Sequence, residues 1–150
     1  MIRYSLAASD DAELLTAFRL EVLRAVNQLP EDYAFPADAV QAIRDYWCKG
    51  DQITVVAVDG DTLVACATLC RIHVMPTFDH PTGCRGHVMN VYTRAAYRRQ
   101  GIARTMLTIL MDEARRQGMT ELSLDATEPG RPLYASLGFT PNAEGMVLRL

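Results

Sequence analysis

Asn90-Val91-Tyr92-Thr93-Arg94-Ala95-Ala96-Tyr97-Arg98-Arg99-Gln100-Gly101-Ile102-Ala103 is the stretch on which the reading turns. A strand-like run ends near Thr93, passes through a glycine-containing turn and opens a helix rich in arginine. Ile102, Met106, Ile109, Leu110 and Met111 are spaced for one buried face, Arg115, Arg116 and Gln117 fill the last turn, and Gly118 stops the helix. A helix start leaves backbone N–H groups unpaired and carries partial positive charge, so Arg99 to Ala103 form a cradle suited to a phosphate. Gly101 and Ala103 matter by what they lack, since a large side chain there would hold a phosphate off the backbone. Cations at a helix start are disfavoured by about 0.3 to 1 kcal/mol each unless an anion is present. That penalty argues against a merely solvated basic turn. No Gly-Lys followed by Ser or Thr is present, nor the three glycines of the dinucleotide fingerprint, so the turn is neither of those nucleotide motifs.

The 150 residues suit one domain, expected to span 1–150. A 49% hydrophobic share with 22% charged residues is that of an ordinary globule. Eighteen acids against 15 bases give a net charge of −3 and no basic field to draw nucleic acid. Met1 to Leu15 contains acids and no long apolar core, so no signal peptide is expected, and no stretch reaches the length of a membrane span. A cytoplasmic location follows as an expectation. Cys48, Cys66, Cys70 and Cys84 show no CxxC spacing and read as reduced thiols. Cys84 with His73, His80 and His87 matches no common zinc spacing, so no metal is expected.

Outward from the turn, Ile2 to Leu6 reads as a short strand. Ser9 or Asp10 would cap a helix to about Gln28, with Leu14, Leu15, Phe18, Val22, Leu23 and Val26 on its buried face. A second helix is expected from Pro36 or Ala37 to Gly50. Gln52 to Val58 and Thr62 to Ile72, joined by Asp59-Gly60-Asp61, form an antiparallel hairpin. Met75 to Gly86 reads as a long loop and His87 to Thr93 as a strand. After the arginine-led helix come a strand at Glu121 to Asp125, a short helix at Arg131 to Leu137 and a terminal strand near Met146 to Leu150. The order is β-α-α-β-β-β-α-β-α-β, an α/β (α+β) chain without repeats or linkers.

Arg98, Gly101 and Ala103 fit in register a signature of Gln or Arg, two residues, Gly, one residue, then Gly or Ala. Leu133-Tyr134-Ala135-Ser136-Leu137-Gly138-Phe139 fits a second, Leu-Tyr, three residues, Gly-Phe. On both motifs and on element order the chain resembles the Gcn5-related N-acetyltransferase (GNAT) superfamily. The specific motifs lie between His87 and Phe139. The resemblance implies a mixed, mostly antiparallel central sheet flanked by helices. It implies acetyl-CoA as co-substrate, with its pyrophosphate on the backbone of Arg99, Gln100, Gly101, Ile102 and Ala103 and charge from Arg98 and Arg104. The strand Val91, Tyr92 and Thr93 would pair with the pantetheine arm as another strand, with Asn90 at a splay or bulge and Thr127 and Gly130 near the cofactor amides. Many members carry Asn at the position of Thr127 and Glu on the strand before the turn; here that neighbourhood is His87, Val88, Met89, Asn90.

Moving an acetyl group from a thioester to an amine requires a neutral nucleophile, a site for the developing oxyanion and a proton for the departing thiolate. Tyr134 is the expected proton donor, since a phenol of reference pKa about 10 is protonated at neutral pH. Asp125 is the first candidate base, followed by Glu21, His87 and Glu128, with a water relay as the alternative. Asn90 joins Tyr134 and Asp125 as a catalytic candidate. The acceptor side would be lined by residues 27 to 36 and 75 to 86. Glu31, Asp32, Asp125 and Glu128 near it suit a cationic amine, whether a small molecule, an amino acid or a protein amine. An acyl-CoA-binding sensor without catalysis is the alternative class, favoured by the missing strand Glu. Family members that self-associate through sheet edges or terminal strands leave a homodimer open.

Overall fold

Asp59-Gly60-Asp61 turns the chain as expected, with Gly60 at a φ of 61° that a side chain would strain. The computed structural model describes residues 1–150. The hairpin joins β2 (Gln52–Asp59) to β3 (Thr62–His73), and together with β1 (Ile2–Leu6), β4 (Cys84–Thr93) and β5 (Leu122–Ser123) it makes one sheet in the order β1-β2-β3-β4-β5. Neighbours pair antiparallel except β4 with β5, which are parallel. The helices are α1 (Ala12–Val26), α2 (Ala37–Lys49), α3 (Ile102–Arg116) and α4 (Arg131–Ser136). None is long and apolar enough to cross a membrane.

The sheet is covered on both faces, which is why β2 and β3 read as almost continuous apolar runs. One core layer sets α3, through Ile102, Met106, Leu107, Leu110 and Ala114, against Val55, Ala57, Ala65, Ala67, Leu69 and Val88. The other sets Leu15, Phe18 and Val22 of α1 and Trp47 of α2 against Val56, Leu63 and Cys66. Buried polar groups are paired inside the sheet, as Thr54 and Thr68, cross-strand neighbours, join hydroxyls at 2.9 Å.

β4 carries the decisive irregularity. Cys66 pairs with Tyr92 and Thr68 with Met89, so Ala67 faces both Asn90 and Val91 across a β-bulge. Asn90, expected at a splay or bulge, has a φ of 58°. Before the bulge Gly86 and Val88 face α3; after it Val91 does, while Tyr92 turns to the α1 face, edge-on to Phe18 at 5.9 Å. A close approach requires Gly86: a Cβ there would meet the Leu69 and Leu122 side chains at 2.5 and 2.8 Å.

Four expectations change. Ser9–Asp11 form a 3-10 turn, and the Asp11 carboxylate accepts the Ala8 N–H at 2.7 Å, so α1 starts at Ala12 and ends at Val26 rather than Gln28. Leu14 and Val26 are exposed, because Ala12, Leu15, Phe18 and Val22 are the α1 side chains that cover the layer beneath it. β4 begins at Cys84, since Arg85 and Gly86 pair with Ile72 and Arg71, which shortens the loop expected over residues 75 to 86. No strand forms near Met146 to Leu150. Residues 140–150 make no backbone hydrogen bond to the rest of the chain, and a strand without a partner is only an extended segment. The observed order therefore ends β-α rather than β-α-β.

Candidate active site

The turn before α3 is built as the sequence suggests. Arg98 donates its backbone N–H to Ala95, after which the amides of Arg99 to Arg104 have no backbone acceptor; the next bond runs from Thr105 N–H to Gly101 O at 3.1 Å. Gly101 caps α3 at φ 78°, a left-handed conformation, and Arg99 holds φ 64° without being glycine. A Cβ on Gly101 would find nothing within 4 Å, so the space above the turn is open. This turn faces α4 across a cleft of about 470 Å³ lined by Thr93, Arg98, Gly101, Ala103, Pro132 and Ser136.

Arginine placement completes the cradle. Arg98 donates through Nε to Thr93 O at 2.9 Å and lies over the Tyr92 ring, its guanidinium carbon 5.6 Å from the centroid. Arg104 donates to Ser136 Oγ at 2.6 Å, tying α3 to α4 across the cleft. Neither guanidinium is paired with a carboxylate. Six free amides, a left-handed glycine and two uncompensated cations around one opening suit a diphosphate. Gln100 is exposed beside them, whereas the Ile102 side chain is buried in the core and only its amide faces the opening.

Beyond the turn the sheet comes apart. β4 and β5 pair only at Gly86 with Leu122 and His87 with Ser123, so β4 from Val88 to Thr93 has no strand on its β5 side. That bare main chain, including Val91, Tyr92 and Thr93, can accept an extended amide-bearing arm in the manner of strand addition.

The splay collects the titratable candidates. His87 Nδ1 lies 2.8 Å from Ser123 Oγ, and His87 Nε2 lies 3.7 Å from an oxygen of Asp125, whose side chain is fully exposed. The Tyr134 ring stands in α4, edge-on to Phe139 at 6.0 Å, and its hydroxyl has no protein partner. Burial pushes the Tyr134 phenol above its ordinary value, which keeps it protonated. Gly130 makes room for that ring, since a Cβ there would stand 3.1 Å from Tyr134 Cε2. The Thr127 hydroxyl accepts the Gly130 N–H at 3.3 Å and is thus engaged in capping the turn.

Two candidate bases are already committed. Both carboxylate oxygens of Glu21 receive Arg94, at 2.9 and 2.8 Å, and Glu128 receives Arg131 Nε at 3.1 Å. Asn90 is held from two sides: Arg19 donates to its Oδ1 at 3.0 Å, and its own Nδ2 donates to Cys66 Sγ at 3.2 Å. Burial draws the Arg19 pKa down from its ordinary value. Of the three histidines considered for zinc, His87 joins β4 to Ser123, His80 in the loop before β4 meets Thr120 at 2.8 Å and Glu121 at 3.2 Å, and His73 at the end of β3 lies 3.5 Å from Asp51. Sequence reasoning missed Arg19, Ser123 and Ser136, whose partners stand 71, 36 and 32 residues away along the chain.

Comparison with known proteins agrees with this geometry. The model of the acetyltransferase (GNAT) family matches residues 20–139. The uncharacterized N-acetyltransferase YsnE of Bacillus subtilis is 29% identical over 110 residues, covering 69% of this chain and 67% of that protein. A predicted acetyltransferase from Clostridium acetobutylicum, solved with acetyl-CoA, superposes with a TM-score of 0.85 at 26% identity over 99% of this chain and 96% of its own. A GCN5-related N-acetyltransferase from Ralstonia eutropha superposes with a TM-score of 0.76 at 25% identity over 99% of both chains. Motifs, splayed sheet and matches converge, and the chain belongs to the acetyltransferase (GNAT) family.

Proposed function

We propose that this chain transfers an acetyl group from acetyl-CoA to a primary amine by direct attack in a ternary complex. The observation that carries the reading is the unbroken row of unpaired amides from Arg99 to Arg104, opening on the cleft between α3 and α4. Acetyl-CoA supplies the thioester-activated acetyl group. Those amides hold its diphosphate, Arg98 and Arg104 add charge, and the free edge of Val91 to Thr93 receives the amides of its arm.

Tyr134 donates its hydroxyl proton to the departing sulfur, a role suited to a phenol with no other partner and a raised pKa. Asp125, with His87 at 3.7 Å, takes up the proton that the amine must lose. Among the acidic candidates it is the one free of an arginine, as Glu21 holds Arg94 and Glu128 holds Arg131. Asn90 keeps the bulge that aims Val91 into the splay. The acceptor enters from the α1 side, past the segment 27–36, which Arg24 pins by donating twice to Tyr33 O at 3.0 and 2.9 Å.

Thermal unfolding with acetyl-CoA, CoA and ATP in parallel tests the reading, because a ligand at 100 times its Kd stabilises by about 2.7 kcal/mol. Both CoA species should raise Tm and ATP should not. No rise with either would remove the phosphate cradle from the argument. Thiol release dependent on added amine then separates an enzyme from a CoA-binding sensor.

A further inference from the structure

One sheltered cation on the α1 side of the sheet is left without a counter-charge. Arg19 lies one turn after Leu15 and one before Val22, both buried, so its side chain points at the sheet. Arg71, Arg85 and Arg94, half-buried like it, meet the carboxylates of Asp51, Glu121 and Glu21. No carboxylate lies against Arg19, and its pKa is drawn down by burial. A cation taken out of water costs free energy that only an anion or several good acceptors offset.

The edge left open is the one suited to an oxyanion. In Arg24, Arg71 and Arg94 the Nε and Nη2 groups together grip Tyr33 O, Gln117 Oε1 and the two oxygens of Glu21. The same pair in Arg19 has no protein acceptor. Arg19 donates only through Nη1, to Asn90 Oδ1 at 3.0 Å, and Asn90 is itself tied to Cys66 Sγ. A guanidinium fixed at one nitrogen, with two parallel N–H groups free, is preorganised for bidentate contact with a carboxylate or phosphate.

This fork shares a face with the proposed base. Cys66 and Cys70 lie close enough to Arg19 for their sulfurs to favour its charge, which places it over β3. Cys70 pairs with His87 and Thr68 with Met89, and side chains of opposed residues stand on one side of a sheet. Met89 is 45% exposed, so the floor between Arg19 and His87 is open.

We infer that the Arg19 fork binds an oxyanionic group, carboxylate or phosphate, carried by the acceptor amine, with Asn90 holding the guanidinium in place. The inference rests on the acetyl transfer proposed above and narrows its acceptor to amines that bear an anion. Such a molecule sets its anion against α1 and its amine toward His87 and Asp125, and Arg19 selects which amines are taken.

Matched probes test it: the common amino acids against their carboxamides, and phosphoethanolamine against ethanolamine. In protein saturated with CoA, which cannot react, a member bearing the anion should raise Tm and its neutral partner should not. With acetyl-CoA, thiol release should favour the anionic member about tenfold or more in kcat/KM, and the pair that discriminates identifies the oxyanion. Arg19→Met should close the gap by raising KM for the anionic member alone, and Arg19→Lys, which keeps the charge without the fork, should recover part of it. Equal response to both members of every pair, or a loss in Arg19→Met that falls on both alike, overturns the inference and leaves acetyl transfer standing. Discrimination in Tm without thiol release supports the Arg19 subsite and removes the enzyme reading instead. No Tm rise and no thiol release with any probe overturns the inference.

Discussion

His87 and Ser123 are hydrogen-bonded at 2.8 Å across the seam where β4 and β5 last touch, with Asp125 on the far side of the imidazole. Ser123 orients the ring, and the ring's other nitrogen faces the carboxylate. If Asp125 and His87 act as a unit on the amine proton, their replacements will not add. Asp125→Asn and His87→Gln should each lower kcat/KM, and the double variant should fall little below the worse single one. Steady-state kinetics of the four proteins decide it, and strictly additive losses would separate the two groups.

Tyr134→Phe should lower kcat about 100-fold or more while leaving the Tm rise with CoA intact, since the ring packing against Phe139 survives and only the hydroxyl is lost. Because burial holds the phenol above its ordinary value of 10.0, the midpoint of any loss of kcat from its ionisation should lie above pH 10. Unchanged turnover in the Phe variant would take the acid role away from Tyr134.

Gly101 and Arg99 should respond in opposite ways to changes that leave their surroundings alone. Nothing crowds a Cβ at Gly101, yet its φ of 78° makes Gly101→Ala cost about 1 kcal/mol in backbone strain, or about 2 to 4 °C in Tm. Arg99 at φ 64° already bears such strain, so Arg99→Gly should not lower Tm. Differential scanning calorimetry of the pair checks this. A Gly101→Ala protein as stable as the parent would mean that the turn relaxes to another conformation.

Cys66 is buried against the bulge, and burial pushes its thiol from 9.0 up to about 12. A folded-state pKa above the unfolded one means that the folded chain resists losing this proton. Its contribution to stability is complete below pH 9.0 and is lost as pH climbs toward about 12. Denaturant titrations from pH 8 to 11 should show that decline, and Cys66→Ala should flatten it. At pH 8 iodoacetamide should alkylate the exposed Cys48 and spare Cys66, as read by peptide mass.

Where local chemistry decided the outcome, the sequence was a sufficient guide. Asp59-Gly60-Asp61 could only turn, Gly118 closed α3 in a left-handed conformation, and the arginine-led turn took the shape its glycine allows. The readings that failed depend on partners that no local pattern names. Leu14 and Val26 fit an apolar stripe but lie beyond what the sheet beneath α1 covers, and Met146–Leu150 is apolar enough for a strand but bonds to none. The same holds within the site. The motifs single out Tyr134 and the turn before α3 as candidates, while Arg19 on Asn90 and Ser136 on Arg104 arise only when distant segments pack. Glu21 was a fair candidate base until Arg94 claimed both of its oxygens.

The extra residue at Asn90 has a consequence for how this strand tolerates change in length. It reverses parity, so that even-numbered side chains meet α3 before it and odd-numbered ones after it. Deleting that one residue would make β4 regular, with Val91 still opposite Ala67 and Tyr92 still opposite Cys66, so each would keep its face of the sheet. A deletion elsewhere in the paired part of β4 has no spare residue to absorb it and would turn over every side chain beyond it. At Asn90 length and facing are uncoupled, and what its removal takes away is the partner of Arg19.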